Sequence, residues 1–109
     1  MSINVSYERS DRLRFEAIVF IDDESGDCWQ VQHELDDRPG SYGISTGAGA
    51  PVAAAIIEWR LSGNEFRFVL TPKAARLFGG VEVLEFIAVA SGDDDLDAVA
   101  EHLRRIVGG

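Results

Sequence analysis

Alternation of apolar and polar residues over the first two-thirds of the chain is the feature that most limits its fold. Its first two segments have an apolar residue at every second position: Ile3, Val5, Tyr7, Leu13, Phe15, Ala17, Val19 and Ile21. A period of two is typical of β-strands. In the second segment the other face changes from Arg12, Arg14 and Glu16 to Ile18 and Phe20. We therefore predict an interior strand whose far end is covered on both faces.

Further strands follow between turns rich in Asp and Gly. The acidic segment 22–27 predicts a turn before a strand over Cys28–Glu34, and segment 36–40 predicts a second turn. Tyr42 and Ile44 indicate a short strand that ends in a Gly-rich run. The alternation therefore continues as a series of short strands.

A hairpin is predicted from Ala53–Leu61 and Glu65–Leu70. A two-residue Gly63-Asn64 loop suits a type II′ turn and places apolar residues opposite one another. The expected pairs are Trp59 with Phe68, Leu61 with Phe66, and Ile57 with Leu70. The same register sets Arg60 opposite Arg67, which is unfavourable unless Glu58, Glu65 or a partner's acid lies nearby.

Two helices are predicted from their end signals. Thr71 caps the first, which spans about 71–78 and stops at Gly79, and a strand over Val81–Ala90 follows. The second, at about 94–107, starts at the aspartates 93–95 and stops at Gly108. The prediction is one α+β domain over residues 1–109, with a mainly antiparallel sheet of about six or seven strands and two helices on it.

Charge and composition narrow the function classes. The chain has 10 Lys and Arg against 19 Asp and Glu, a net charge of −9, which disfavours direct binding to nucleic acid. It shows neither a signal-peptide pattern nor a membrane-spanning apolar run. Cys28 is the one cysteine, so an intramolecular disulfide is excluded and a reducing compartment is expected. We expect a cytoplasmic protein that does not bind membranes.

The acidic clusters and the two histidines lack the spacing of known catalytic or metal sites. Counted from Asp22, a calcium loop would need Gly and Glu where Asp27 and His33 stand. No spacing joins His33, His102 and Cys28 into a zinc pattern. We therefore predict no catalytic residues, no metal and no cofactor, and structural roles for both histidines.

The order of motifs in the second half resembles the Imm10-type immunity proteins of bacterial polymorphic toxin systems. The resemblance covers roughly residues 28–107 and rests on four segments and the acidic cap before the last: Tyr42-Gly43-Ile44-Ser45-Thr46, Phe66-Arg67-Phe68-Val69-Leu70, the helix Thr71 to Gly79, and the terminal helix ending Leu103-Arg104-Arg105-Ile106-Val107. The chain departs from the family pattern at Ala53-Ala54, where a Gly-Gly pair is expected.

The resemblance implies a cytosolic antidote, not an enzyme, that binds and neutralises a cognate toxin domain, for example a nuclease, by occluding its active site. A nuclease site is basic because it holds phosphates, so an acidic inhibitor suits it. Exposure and charge, rather than a family motif, select the expected contact residues, which lie in the acidic turns: Asp22, Asp23, Glu24, Asp27, Asp36 and Asp37.

Two alternatives remain open. One is an accessory or structural module that forms a homo-oligomer, such as a homodimer. The other is a small ligand-binding protein or enzyme with a pocket between sheet and helices. A deep polar cleft that joins His33 or His102 to a carboxylate would favour the enzyme.

Overall fold

The computed structural model describes residues 2–36, 41–47 and 50–108, which form an α+β fold with one sheet and two helices. The strands are β1 Ser2–Ser10, β2 Phe15–Ile21, β3 Cys28–Glu34, β4 Tyr42–Ser45, β5 Val52–Ala53, β6 Ile56–Ser62, β7 Glu65–Leu70 and β8 Val83–Ala90. The helices are α1 Pro72–Ala75, continued by a 3-10 turn Arg76–Phe78, and α2 Leu96–Val107. The α+β class is confirmed, but the described sheet has eight strands instead of six or seven, because Val52–Ala53 is a separate strand.

The strand order across the sheet is β5-β4-β3-β2-β1-β8-β7-β6. Every neighbouring pair is antiparallel except β1 and β8, which run parallel in the interior of the sheet. The predicted interior position of β2 is confirmed, since it lies between β1 and β3. The two halves of the chain therefore meet at the β1–β8 pair.

The inner face of β2 carries Glu16, Ile18 and Phe20, and this corrects the expected alternation. Val5 pairs with Phe20 and Tyr7 with Ile18, so these residues share one face. On the other face Ala17 is buried with 1% exposure, but Ile21 at the far end is 38% exposed, so the prediction that the far end is covered on both faces is wrong. The face that a strand buries is set by its neighbours, which the strand's own pattern does not record.

The core is built around Phe20. Its ring stacks on Trp29 at 3.9 Å between centroids and meets Phe66, Phe68 and Phe86 edge-on. Phe20, Phe66 and Phe68 are fully buried. Edge-to-face and offset stacked pairs of this kind each add about 0.5–1.5 kcal/mol beyond the area they bury. The aromatic residues therefore join both halves of the sheet.

The β6–β7 hairpin confirms most of the predicted register. Trp59 pairs with Phe68, Leu61 with Phe66, and Arg60 with Arg67. The expected Ile57–Leu70 pair is wrong, because a bulge between Ile56 and Glu58 lets Ile56 face Leu70. Ile57 is the extra residue of the bulge and is 63% exposed.

Both helices begin and end at the predicted signals. The Thr71 hydroxyl accepts a hydrogen bond from the Ala74 N–H at 3.2 Å, and Asp95 accepts one from the Ala98 N–H at 2.8 Å. Gly79 and Gly108 end the two segments with φ of 70° and 83°. Within the described part of the chain, neither helix has the length and apolar character needed to cross a bilayer.

The two edges of the sheet approach each other where β5 leads into β6. The Tyr42 hydroxyl accepts from the Ile56 N–H at 2.9 Å and donates to the Ile56 carbonyl at 3.2 Å. Between the two strands, Ala54 has a left-handed backbone with φ of 51°. This is the second alanine at the place where the resemblance leads one to expect Gly-Gly.

Replacing Ala54 by glycine should raise the free energy of unfolding by about 0.5–1 kcal/mol. A left-handed conformation costs a residue with a Cβ about 1–2 kcal/mol, and the greater freedom of unfolded glycine offsets part of the gain. Urea unfolding followed by circular dichroism measures the difference. The control is Ala53→Gly, at an exposed strand position without a positive φ, which should destabilise. Equal losses in both variants would contradict this prediction.

Candidate binding surface

An apolar cavity of about 470 Å³ lies at the end of the sheet that carries the acidic turn. Its walls are formed mainly by Trp29, Leu77, Phe78, Leu84 and Phe86, which come from β3, the 3-10 turn and β8. The Trp29 and Phe78 rings meet edge-on with centroids 5.3 Å apart. An aromatic-walled pocket that is open to solvent can receive an apolar or aromatic group.

Asp22 and Asp27 line this cavity on the side of the β2–β3 turn. The alternation that turns Phe20 and Trp29 inward also places Asp22, two residues after Phe20, and Asp27, two residues before Trp29, towards the inner side. The cavity therefore has mainly apolar walls with the carboxylates of Asp22 and Asp27 at its mouth, and Glu85 of β8 adds a third carboxylate to the lining.

The backbone of the acidic turn is fixed by its own hydrogen bonds. The Asp22 N–H donates to the Asp27 carbonyl at 2.8 Å, and the Gly26 N–H donates to the Asp22 carbonyl at 2.7 Å. The Asp22 carboxylate accepts the Glu24 N–H at 3.0 Å. Gly26 permits the closing conformation with φ of 79°. The backbone of the turn and the Asp22 carboxylate are thus held in place before any partner arrives.

The other acidic residues predicted to contact a partner lie elsewhere. Asp23 accepts a hydrogen bond from the Asn4 amide, and Glu24 is exposed on the turn. Asp36 follows the far end of β3, about 23 Å away along a seven-residue strand. Arg14 pairs with Asp36, and its hydrogen bonds lower the pKa of that carboxyl. Asp37 lies outside the described residues.

Sequence reasoning missed the apolar part of this surface. Nothing in the linear pattern joins Trp29 to Phe78, Leu84 and Phe86. The alternation places Asp22 on the same face as Phe20 and Asp27 on the same face as Trp29. This signal was present in the sequence, but its use required a correct prediction of the inner face of β2. With that face known, the two aspartates stand apart from the other acids of the turn.

A second polar cluster surrounds Glu16, whose side chain is only 1% exposed. Its carboxylate accepts hydrogen bonds from the Tyr7 hydroxyl at 2.7 Å and from the His33 Nδ1–H at 2.9 Å. The Arg105 guanidinium donates to both oxygens, at 2.7 and 2.8 Å. Four donors therefore converge on one buried carboxylate.

The pKa of Glu16 shows which effect prevails in this cluster. Burial by itself raises the pKa of a carboxyl, since it disfavours the charged form. The hydrogen bonds from Arg105, Tyr7 and His33 outweigh burial and lower the pKa from 4.5 to about 2. Glu16 is a charged acceptor whose lone pairs are occupied, and such a carboxylate is a poor proton acceptor.

His102 extends the cluster along α2. Its ring stacks on Tyr7 with centroids 3.5 Å apart. Arg105 has no acceptor, so it donates to Nδ1 of His102 at 2.9 Å, and His102 Nε2–H donates to Asp94 at 3.1 Å. These contacts fasten α2 to β1 and β2. We name the set Glu16, Tyr7, His33, Arg105, His102 and Asp94 the Glu16 cluster.

The Glu16 cluster joins both histidines to carboxylates, but not in an open cleft. Among the described residues, the cavities of about 470, 430 and 240 Å³ are lined by neither Glu16 nor Tyr7 nor Arg105. His33 reaches the wall of a shallow cavity of about 240 Å³. The geometry of the cluster is that of a clamp between helix and sheet.

No three His, Cys, Asp or Glu side chains within residues 2–36, 41–47 and 50–108 are grouped so that they could hold a metal ion. In the acidic turn the Asp22 carboxylate accepts a backbone N–H, and the Asp23 carboxylate accepts the Asn4 side-chain amide. Comparison of the chain with protein-family models, with curated proteins and with solved structures finds no match.

Proposed function

We propose that this protein is an inhibitory binding protein of the immunity type, which neutralises a cognate bacterial toxin domain by occluding its active site. The observation that carries the proposal is the aromatic-walled cavity with Asp22 and Asp27 at its mouth. Such a surface combines an apolar anchor site with charges that select a basic partner.

The partner chemistry follows from the cavity. An aromatic or long apolar side chain of the toxin fills the space between Trp29, Phe78 and Phe86. Lysine or arginine residues beside that anchor meet Asp22 and Asp27, and these pairs lose water as the interface closes. A phosphate-binding active site, such as that of a nuclease, offers both cations and a concave surface.

The overall charge supports rapid association with such a partner. A net charge of −9 attracts a basic protein at long range, and the attraction falls with ionic strength. The cavity then provides the short-range contacts that determine dissociation.

Neutralising both aspartates, as Asp22→Asn with Asp27→Asn, should weaken binding to the toxin encoded beside this chain by about tenfold or more. Asparagine keeps the oxygen that accepts the backbone N–H at position 24, so the turn is preserved. The measurements are affinity at low and high salt and survival of cells that express the toxin.

The matched control is Glu8→Gln with Glu34→Gln, which removes the same charge from exposed positions on the outer face. It should alter only the association rate. If both pairs of substitutions weaken binding equally, the cavity is not the docking site. If the neighbouring toxin neither binds nor is neutralised, the proposed function is wrong for that toxin.

A small-ligand carrier is the second candidate, and the cavity volume favours it. About 470 Å³ lies within the range of 300–1,000 Å³ that is typical of ligand sites. The carboxylates at the mouth would select an aromatic amine. Saturable thermal stabilisation by 2-phenylethylamine, lost in the Asp22→Asn/Asp27→Asn variant, would support a carrier. No stabilisation at millimolar amine would reject that ligand class.

A further inference from the structure

Strand β6 lies at one edge of the sheet and pairs on one side only, with β7. In a two-residue hairpin the residues next to the turn bond to each other, so Ser62, Arg60 and Glu58 direct their backbone groups towards β7. The N–H and C=O groups of Trp59 and Leu61 therefore point away from the sheet. The Tyr42 hydroxyl occupies the backbone groups of Ile56 at the start of β6, and beyond it no strand of the described part of the chain covers this edge.

Beside this edge, a groove of about 430 Å³ separates β6 from α2. Trp59 and Leu61 form its strand side, and Ala100 and Arg104 form its helix side. The Arg104 guanidinium lies 5.8 Å from the centre of the Trp59 ring. Nε1 of Trp59 is the buried side-chain polar atom that lacks a hydrogen-bond partner among the described residues. The groove has room for side chains from an added strand.

The edge is complementary to itself. Residues 57–61 read Ile-Glu-Trp-Arg-Leu, which is apolar, acidic, aromatic, basic and apolar. When two copies pair antiparallel with Trp59 at the centre, Glu58 of each faces Arg60 of the other. Ile57, 63% exposed in the single chain, then faces Leu61 of the second copy. Every cross-strand pair is favourable in this register.

The charge of Arg60 is not balanced by an ion pair within the described part of its own chain, and this supports the register centred on Trp59. Arg60 lies opposite Arg67, and Arg67 takes the nearby carboxylates, Glu58 at 3.4 Å and Glu85 at 3.9 Å. Arg60 has no ion pair within the described part of its own chain. Pairing centred on Trp59 brings a second glutamate to Arg60, whereas pairing centred on Arg60 would set two arginines face to face.

We propose that β6 is a self-association edge, through which two copies of this protein form a dimer by antiparallel β6–β6 pairing centred on Trp59. The Trp59 N–H of each copy donates to the Trp59 carbonyl of the other, and the sheet continues across the two chains. The net charge of −9 per copy opposes association, but its repulsion is screened beyond about 8 Å at physiological ionic strength.

Sedimentation of the chain alone tests the proposal, with two single charge reversals, Glu58→Arg and Arg60→Glu. Wild type should sediment with twice the mass of one chain at concentrations of tens of micromolar. Each single reversal places like charges opposite each other twice, so the dissociation constant should rise by at least tenfold. The double reversal restores complementarity and should dimerise like wild type.

Mixing the two single variants gives the decisive measurement. Glu58→Arg has two arginines on the edge, and Arg60→Glu has two glutamates there. At a concentration at which each variant alone is monomeric, the mixture should therefore form a heterodimer. Circular dichroism checks folding, and both positions are exposed. A monomeric wild type at hundreds of micromolar would overturn the proposal. So would single variants that dimerise unchanged, or a mixture that stays monomeric. None of these outcomes depends on a toxin.

Discussion

Replacing Glu16 by glutamine is expected to lower the free energy of unfolding by about 3 kcal/mol. Glutamine has nearly the same shape, but its amide nitrogen is a donor, and it would face donors from Tyr7, His33 and Arg105. Arg105 would also lose its counter-charge. Breaking a buried ion pair on one side typically costs about 3–5 kcal/mol, and the lower end applies because the Arg105 side chain is 48% exposed.

Urea unfolding with a two-state analysis measures this loss, and Glu34→Gln is the matched control. Glu34 ends β3 and is exposed on the outer face, so its substitution should change the free energy of unfolding by less than about 0.5 kcal/mol. A loss below about 1 kcal/mol in Glu16→Gln would show that the Glu16 cluster does not hold α2 to the sheet.

A double substitution measures how much of the stability comes from the interaction between Glu16 and Arg105. Glu16→Met leaves Arg105 without its carboxylate, and Arg105→Met leaves a buried carboxylate with fewer donors. The combined variant leaves neither charge unpaired, so its loss should be smaller than the sum of the single losses. Additive losses would mean that Glu16 and Arg105 act independently, which the 2.7 and 2.8 Å contacts argue against.

Local chemistry made much of the fold predictable from the sequence. The Thr71 cap and Gly79 stop bound α1 and its 3-10 turn, and the Asp95 cap and Gly108 stop bound α2, through hydrogen bonds that span four residues or fewer. The Gly63 turn set the β6–β7 register as far as Glu58. These signals depend on neighbours in sequence, so a single chain reveals them.

Features set by distant residues were not predictable. Glu16 looked like an exposed strand residue because its partner Arg105 lies 89 positions away. The inner face of β2 depends on its pairing with β1, and the bulge at Ile57 depends on how β6 meets Leu70. Each of these departures reflects tertiary contacts that override a local pattern.

The candidate binding surface also combines features that the sequence shows with features that depend on distant residues. Exposure and charge selected the acidic turns, and the selected residues included Asp22 and Asp27. The cavity that distinguishes them from Asp36 is assembled from β3, the 3-10 turn and β8, and only the folded chain brings these together. The sequence therefore selected the acidic residues, and the position of the cavity beside two of them depends on the fold.

Acid should destabilise the protein between pH 4.5 and pH 2 through Glu16. Its pKa is about 2 in the folded chain against 4.5 as the ordinary value. A carboxyl with a lowered pKa contributes stability that is complete above its unfolded pKa and is lost as the pH falls through the folded one. The shift corresponds to about 2–3 kcal/mol after an allowance for solvent screening near the cluster.

The net charge of −9 acts in the opposite direction, because protonating surface carboxylates first relieves their mutual repulsion. The difference between wild type and Glu16→Gln isolates the buried group, since the two share all other acids. Urea unfolding from about pH 6 to about pH 2 should show the wild-type advantage shrinking as the acid range is entered. An advantage that stays constant over this range would mean that Glu16 keeps an ordinary pKa, and that the four hydrogen bonds do not favour its charged form.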